Sequence, residues 1–347
     1  MTRSGSIIGH TRPSRPPLGT SAVRRAMDAF VNPLVTDEEK VALLAELDAH
    51  VTDPKILAAF ARELRKRSMP FRPPGARRAV DLCGSGGAPN PTFNVSTVSA
   101  FVVAGAGQPV IKHGNRSSRG FTGSSDLLEA LDLPVVTSRR FSEESFRRFR
   151  IAFLHAPLYH PSTRAIVGAR RLLGRPSIFN QLGPLSNPAP VGAQVVGTPS
   201  IEVARRLARA LRLLRLPRGM TVTSAEQADE FSPISESHGV RWTGASSREF
   251  EISARAWLDP EDRRGAWGPL PPSEAAEATH RLLAGAAGAR RGAVLLTSAA
   301  ALWLSGHARS WKDGLSQALE SLDSGAAEGL LNDLQGLARA RSWAEEG

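Results

Sequence analysis

A chain of 347 residues, 41% hydrophobic and 22% charged, is long enough for one large core or two domains sharing a cleft, and its composition excludes a disordered chain. Its most apolar runs, Ala100–Gly105 and Ala293–Leu304, are short or broken by polar residues, which excludes a helix that crosses a bilayer, and the single cysteine, Cys83, excludes an intramolecular disulfide or a Cys-based zinc centre and fits a reducing cytoplasm. The net charge of +11 is spread through Arg62–Arg67, Arg139–Arg150 and Arg205–Arg218 without interleaved aromatics, so it reads as a solvated, arginine-biased surface rather than a nucleic-acid motif.

Met1–Thr20 is rich in Arg, Ser, Pro and Gly and lacks the apolar stretch of a secretory signal; it reads as a disordered or loosely attached tail, with a transit peptide as the other reading. From Ser21 to about Ser68 the chain is helical in pattern. Thr36-x-x-Glu39 forms a capping box before Val41, Leu43, Leu44 and Leu47, and Ile56, Phe60 and Leu64 recur at helical spacing after Thr52-Asp53-Pro54. These helices need another partner for their apolar faces.

After the Pro/Gly-rich linker Pro70–Gly75 the pattern changes. Strand candidates at Ala79–Leu82, Pro109–Ile111, Ile151–Leu154, Gln194–Val196, Met220–Thr223 and Ala293–Leu296 alternate with helical segments such as Val95–Ala106 and Leu127–Leu131. That alternation predicts an α/β fold, a mostly parallel sheet covered by helices. Ser310-x-x-Asp313 caps a last helical region carrying Leu315, Ala318, Leu319 and Leu322.

Two loops gather polar groups where strands end. Gly84-Ser85-Gly86-Gly87 follows the first strand and Asn94-Val95-Ser96-Thr97 opens the next helix, so N–H groups and hydroxyls converge as a phosphate requires. Taken alone, a glycine turn is more often a tight strand-to-helix connection. Lys112-His113-Gly114-Asn115-Arg116 follows the second strand and leads to Thr122-Gly123-Ser124-Ser125-Asp126; a solvated turn is the ordinary reading, but ligands of α/β sheets gather at carboxyl ends of strands.

These segments, with Ala156-Pro157-x-Tyr159-His160-Pro161 and Ile178-Phe179-Asn180-x-Leu182-Gly183-Pro184-Leu185-x-Asn187-Pro188, resemble the anthranilate phosphoribosyltransferase family in order and spacing. Asp229-Glu230, Ala299–Leu302 and Leu322–Gly325 extend the resemblance to roughly residues 35–340. It implies a nucleoside-phosphorylase-like architecture. A small helical domain (21–74 and about 160–188) would be interrupted by an α/β domain (75–159 and about 189–347), with the active site in the hinge cleft.

The implied reaction joins the amino group of anthranilate to C1′ of phosphoribosyl diphosphate, with magnesium as cofactor, in a cytoplasmic homodimer of tryptophan biosynthesis. No residue is implied as a general acid or base. Gly84, Gly87, Asn94, Ser96, Thr97, Lys112 and Ser124 match family positions around phosphoribosyl diphosphate; Gly84, Asn115, His160, Arg170 and Pro184 match the pocket for the aromatic acid. Ser96, Asp229 and Glu230 match metal contacts, since a hard cation suits carboxylates shared with phosphate oxygens. Arg170 can offer a carboxylate a planar fork, and a surface arginine is its other reading; His160 equally reads as a cap of the helix that follows.

The pattern breaks at Ala88-Pro89-Asn90-Pro91, where the family has an Asp and further Gly, and at Phe121, where it has Lys; Thr297-Ser298 and Glu274–Thr279 lack the usual asparagines. Three other readings follow: a specialised paralogue with another aromatic acceptor, a non-catalytic paralogue that binds a nucleotide or nucleic acid, and a pyrimidine-nucleoside phosphorylase, which Lys112–Arg116 and Ile178–Pro188 fit poorly.

Overall fold

The computed structural model describes residues 19–47, 50–86, 88–117, 121–175, 177–340 and 343. Helix α1 (Thr20–Val31) begins directly after Gly19, so helical structure starts inside the stretch read as a tail, of which residues 1–18 lie outside the described residues. Helix α2 (Asp37–Leu47) is opened by a reciprocal capping box: Glu39 N donates to Thr36 Oγ1 at 3.2 Å, and Thr36 N donates to the Glu39 carboxylate at 2.8 Å. Helix α3 (Pro54–Lys66) starts on Pro54, with Asp53 Oδ1 accepting from Lys55 N at 2.8 Å.

The sheet is built from β1 (Val80–Gly84), β2 (Val110–Gly114), β3 (Ile151–His155), β4 (Ala193–Gly197), β5 (Arg218–Ser224), β6 (Glu236–Thr243) and β7 (Ser246–Ser253), in the order β3-β2-β1-β4-β5-β6-β7. Pairing is parallel from β3 to β5 and antiparallel beyond. The chain leaves β1 toward β2 and β3, then returns to β1's other edge with β4, so the strand order reverses between β1 and β4; crevices at such points hold ligands in open α/β sheets.

Intervening helices are α4 (Val95–Gly105), α5 (Ser124–Ala130), α6 (Arg139–Phe149), α7 (Ala156–Tyr159), α8 (Val167–Leu173), α9 (Ile178–Leu182) and α10 (Ile201–Leu213); α11 (Pro272–Leu283), α12 (Ala289–Ser305), α13 (Trp311–Asp323) and α14 (Ala326–Arg339) follow the sheet. One core joins α4 and α11–α14 to the sheet face that carries Leu82, Met220 and Val222. A second joins Met27, Phe30, Leu44 and Phe60 of the first three helices to Ile166, Ile178 and Leu182, and to Leu207, Leu211 and Trp242 on the opposite sheet face. The early helices thus bury their apolar sides against the 160–188 stretch and α10 alike.

Two elements differ from the sequence reading. Ala293–Leu296 is not a strand but part of α12, which is buried on nearly every side; an apolar run without a polar face carries no helical period, so a strand and a buried helix look alike. The β6–β7 hairpin, turned at Gly244 (φ +56°), was not anticipated, because β7 (SSREFEIS) is largely exposed and has few β-branched residues.

Candidate active site

The carboxyl ends of β1 and β2, the amino end of α4 and the turn after β5 enclose a cavity of about 430 Å³. Its tightest contacts explain two glycines. A Cβ on Gly84 would stand 2.7 Å from Asp229 Oδ2, and one on Gly197 would stand 1.5 Å from the Asp229 carbonyl oxygen. Only glycine at these strand ends lets the turn bearing Asp229 and Glu230 lie against the sheet. Ser85 N donates to Gly197 O at 2.8 Å, and Gly86 N, in the left-handed region at φ +63°, faces Asp229 Oδ2 at 3.4 Å.

Lys112 comes off β2 beneath this cradle. Its ammonium donates to Leu82 O at 2.5 Å and to Ser96 Oγ at 3.0 Å, and burial lowers its pKa. Glu230 Oε1 accepts from Ser96 N at 3.3 Å; burial, reinforced by the neighbouring charge of Asp229, pushes its carboxyl up to about 8. Two carboxylates, an ammonium, a hydroxyl and a helix amino terminus therefore share one small volume.

Asp81, on β1, accepts from His113 N at 3.2 Å, Asn187 Nδ2 at 2.9 Å and Gln194 Nε2 at 3.0 Å, and burial raises its pKa. This network ties the turn around Asn187 to β1, β2 and β4. Its sequence signal was an acid between apolar residues of a buried strand, Val80-Asp81-Leu82, which the sequence reading did not use.

The second loop is fastened to the first. Asn94 Nδ2 donates to Thr122 O at 2.8 Å, and Ser124 Oγ donates to Asn115 O at 3.2 Å. Arg116, also part of the cavity lining, pairs with Asp126 at 2.9 Å and Glu129 at 2.7 Å. Toward the helical layer, the Arg170 guanidinium lies over the Phe179 ring, 5.8 Å from its centroid, and burial lowers its pKa, so it is a wall of the cavity and not one more surface arginine. The rings of His113 and His160 meet edge-to-face at 5.1 Å; desolvation lowers the pKa of both, that of His160 to about 4, so both are neutral at neutral pH. The His160 ring caps no helix.

The cavity lining brings together Gly84, Asn94, Ser96, Thr97, Lys112, Asn115, Ser124, His160, Arg170, Asp229 and Glu230. Gly87 lies outside the described residues. Pro184 does not line the cavity: it is buried, its carbonyl accepting from Gln194 Nε2 at 2.7 Å. His113, Thr122 and Phe179, quoted only as parts of motifs, also line it, as do Ala88 and Phe121 where the family pattern breaks; Thr297, Ser298 and the Glu274–Thr279 stretch do not.

Among the described residues, no group of three or more His, Cys, Asp and Glu side chains could hold a metal ion by itself. The donor set nevertheless fits a magnesium ion that shares phosphate oxygens with a substrate: two adjacent carboxyl groups, one raised well above its ordinary range by burial and by the neighbouring Asp229, beside a serine hydroxyl.

Residues 76–328 match the family model described as "Glycosyl transferase family, a/b domain". The chain is 35% identical to the anthranilate phosphoribosyltransferase of Desulfitobacterium hafniense (strain Y51) over 84% of its own length and 87% of the relative's. It is 36% identical to that of Syntrophobacter fumaroxidans over 90% and 93%. The crystal structure of anthranilate phosphoribosyltransferase from Thermus thermophilus superposes with a TM-score of 0.83 at 32% identity, covering 93% of this chain and 96% of that one. The Saccharomyces cerevisiae enzyme in complex with PRPP and Mg shares the fold, with a TM-score of 0.78 at 22% identity over 93% and 94% of the two chains. A glycine cradle closed on two carboxylates at the switch point of a parallel sheet, in a chain this similar to its relatives throughout, makes the protein a member of the anthranilate phosphoribosyltransferase family.

Proposed function

We propose that the protein transfers the phosphoribosyl group of phosphoribosyl diphosphate to the amino group of anthranilate, a step of tryptophan biosynthesis. A single observation carries this reading: the glycine cradle with Lys112, Asp229 and Glu230 and the wall formed by Arg170, Phe179 and His160 line one cavity, so an anionic donor and an aromatic acid can meet within it. The relatives' shared name supports the choice of acceptor.

The amine nitrogen attacks C1′, a C–N bond forms, the C1′–O bond to diphosphate breaks, and the amine proton leaves to solvent. An aromatic amine is already a nucleophile, so the chain's task is orientation and charge stabilisation. In this reading, backbone N–H groups of the turn at Gly84–Gly86, with Asn94, Thr97 and Ser124, seat the donor, and the Lys112 ammonium opposes the charge gathering on diphosphate. Asn115, His160 and Arg170 orient the acceptor, Arg170 by facing its carboxylate. Asp229, Glu230 and the Ser96 hydroxyl would hold magnesium, which supplies positive charge beside the departing diphosphate oxygens when bound.

The cavity then lies between a helical domain (21–74, about 160–188) and an α/β domain (75–159, about 189–347), and the protein works as a homodimer in the cytoplasm. In keeping with this, no helix among the described residues is long and apolar enough to cross a membrane. Phe121, lining the cavity with 47% of its surface exposed, favours a second reading in which a larger or less polar aromatic acceptor is used. Diphosphate release from phosphoribosyl diphosphate and magnesium, with anthranilate and a panel of aromatic amines, tests both. Release with anthranilate, lost in Asp229→Ala and Arg170→Ala, supports the first; release with another acceptor alone supports the second. Silence throughout refutes both.

A further inference from the structure

A groove of about 650 Å³ opens at the amino-terminal end of β5, away from the Asp229 turn that follows the strand's other end. Seven residues of strand, at about 3.3 Å each, put it on the order of 20 Å from the catalytic cavity. It is lined by four cations and no anion. Lys55 stands on one wall, at the start of α3; Arg209 and Arg212 stand on the other, along α10, and Arg215 follows in the turn. All four are exposed or partly so, and none takes part in an ion pair among the described residues. Arg212 Nη2 donates to Ala245 O at 2.9 Å, which fixes one of them at the rim. The rest of the lining is apolar, with Leu213 and Leu216 between the charges alongside two prolines and a glycine.

That lining discriminates among anions. A nucleic acid uses aromatic side chains for stacking or amides and hydroxyls for base edges, and none lines this groove. A bare polyphosphate gains nothing from Leu213 and Leu216. Carboxylates spaced by apolar side chains would use both features, meeting cations on either wall while apolar groups cover the floor.

We propose that this groove docks a segment of a partner protein in which Asp or Glu residues alternate with apolar ones. The contact is independent of the transferase reaction, because no lining residue belongs to the catalytic cavity.

The test is fluorescence anisotropy of the full-length protein with a short labelled peptide alternating Glu or Asp with Leu, compared with the double variant Lys55→Glu, Arg209→Glu. Glu at position 55 falls in the first turn of α3, where the helix dipole favours an anion, so the variant should fold and keep its thermal midpoint and diphosphate-release rate. The expected result is salt-sensitive binding of the peptide, weakened about tenfold or more in the double variant. No binding to the unsubstituted protein, or equal binding by the variant, overturns the proposal. So does a single-stranded oligonucleotide of equal charge binding as tightly at the same salt, since that would reveal a general polyanion surface.

Discussion

Gly197→Ala is the sharpest probe of how the site is assembled. The residue sits at the carboxyl end of β4, paired with Gly84 and Val222, and its missing Cβ is replaced by the Asp229 carbonyl oxygen, 1.5 Å from where that carbon would be. Non-bonded Cβ contacts essentially never fall below 3.0 Å, so the turn carrying Asp229 and Glu230 must retreat by about 1.5 Å. Forcing one methyl into a packed site costs about 1–3 kcal/mol of stability. The functional cost should be larger, because a misplacement of about 1 Å in positioning groups can cost on the order of 100-fold in rate. Steady-state diphosphate release should therefore show kcat/KM down by about that factor, with a modest fall in thermal midpoint. Gly329→Ala on α14, where no atom lies within 4 Å of the added carbon, is the control: it should leave activity intact and raise stability by about 0.5–1 kcal/mol. A Gly197→Ala protein with full activity would refute the claim that closeness of this turn to the sheet builds the site.

Lys112→Met removes the ammonium between Leu82 O and Ser96 Oγ and should lower kcat/KM by about 100-fold or more, with urea denaturation showing a loss of no more than about 3 kcal/mol from the orphaned acceptors. Asn187→Leu withdraws a donor from buried Asp81 and should cost about 1–3 kcal/mol in the same denaturation assay. His113 and His160 resist protonation when folded, so each contributes its full stabilisation above about pH 6.5 and loses it as pH falls; for His160 the loss runs down to about pH 4, at up to about 1.4 kcal/mol per pH unit. The unfolding free energy of His160→Asn should accordingly fall less between pH 7 and pH 5 than that of the unsubstituted protein. Chelation should stop diphosphate release, magnesium should restore it, and Asp229→Asn should need more magnesium for half-maximal rate.

The parallel strands and the two polar loops were legible because each couples a short apolar run to glycine and polar punctuation, the signature of a strand ending at a turn. Thr36–Glu39 and Ser310–Asp313 were legible as caps: Asp313 N donates to Ser310 Oγ at 3.1 Å as the spacing requires. What was hidden depends on distant chain. Asp81 gathers donors from β2, β4 and the Asn187 turn, which no local pattern contains, and the walls at Phe179 and His113 are defined by what faces them. Ala293–Leu296 misled because burial on all sides erases the period that distinguishes helix from strand. Pro184 is buried with its carbonyl accepting from Gln194 Nε2, and its neighbours Leu182, Gly183 and Ser186 form the cavity lining at that turn, a division that the motif alone does not reveal.

The altered loop at Ala88-Pro89-Asn90-Pro91 gains a physical account once its contacts are followed. Two prolines fix φ and remove two N–H donors, so the loop cannot close on diphosphate with its own backbone as a glycine-rich loop does. Instead Asn90 Nδ2 donates to the carbonyl of Glu226 at 2.5 Å, and the Glu226 carboxylate accepts from the hydroxyls of Ser232 and Ser235 at 2.7 Å each. Gly86 N meets Asp229 on the same turn. The glycine loop and the carboxylate turn are therefore joined at two points, Asn90 to Glu226 and Gly86 to Asp229. The departure from the family pattern thus removes the backbone donors of Pro89 and Pro91 and puts in their place a side-chain tie, from Asn90 to Glu226, to the turn that leads to Asp229 and Glu230.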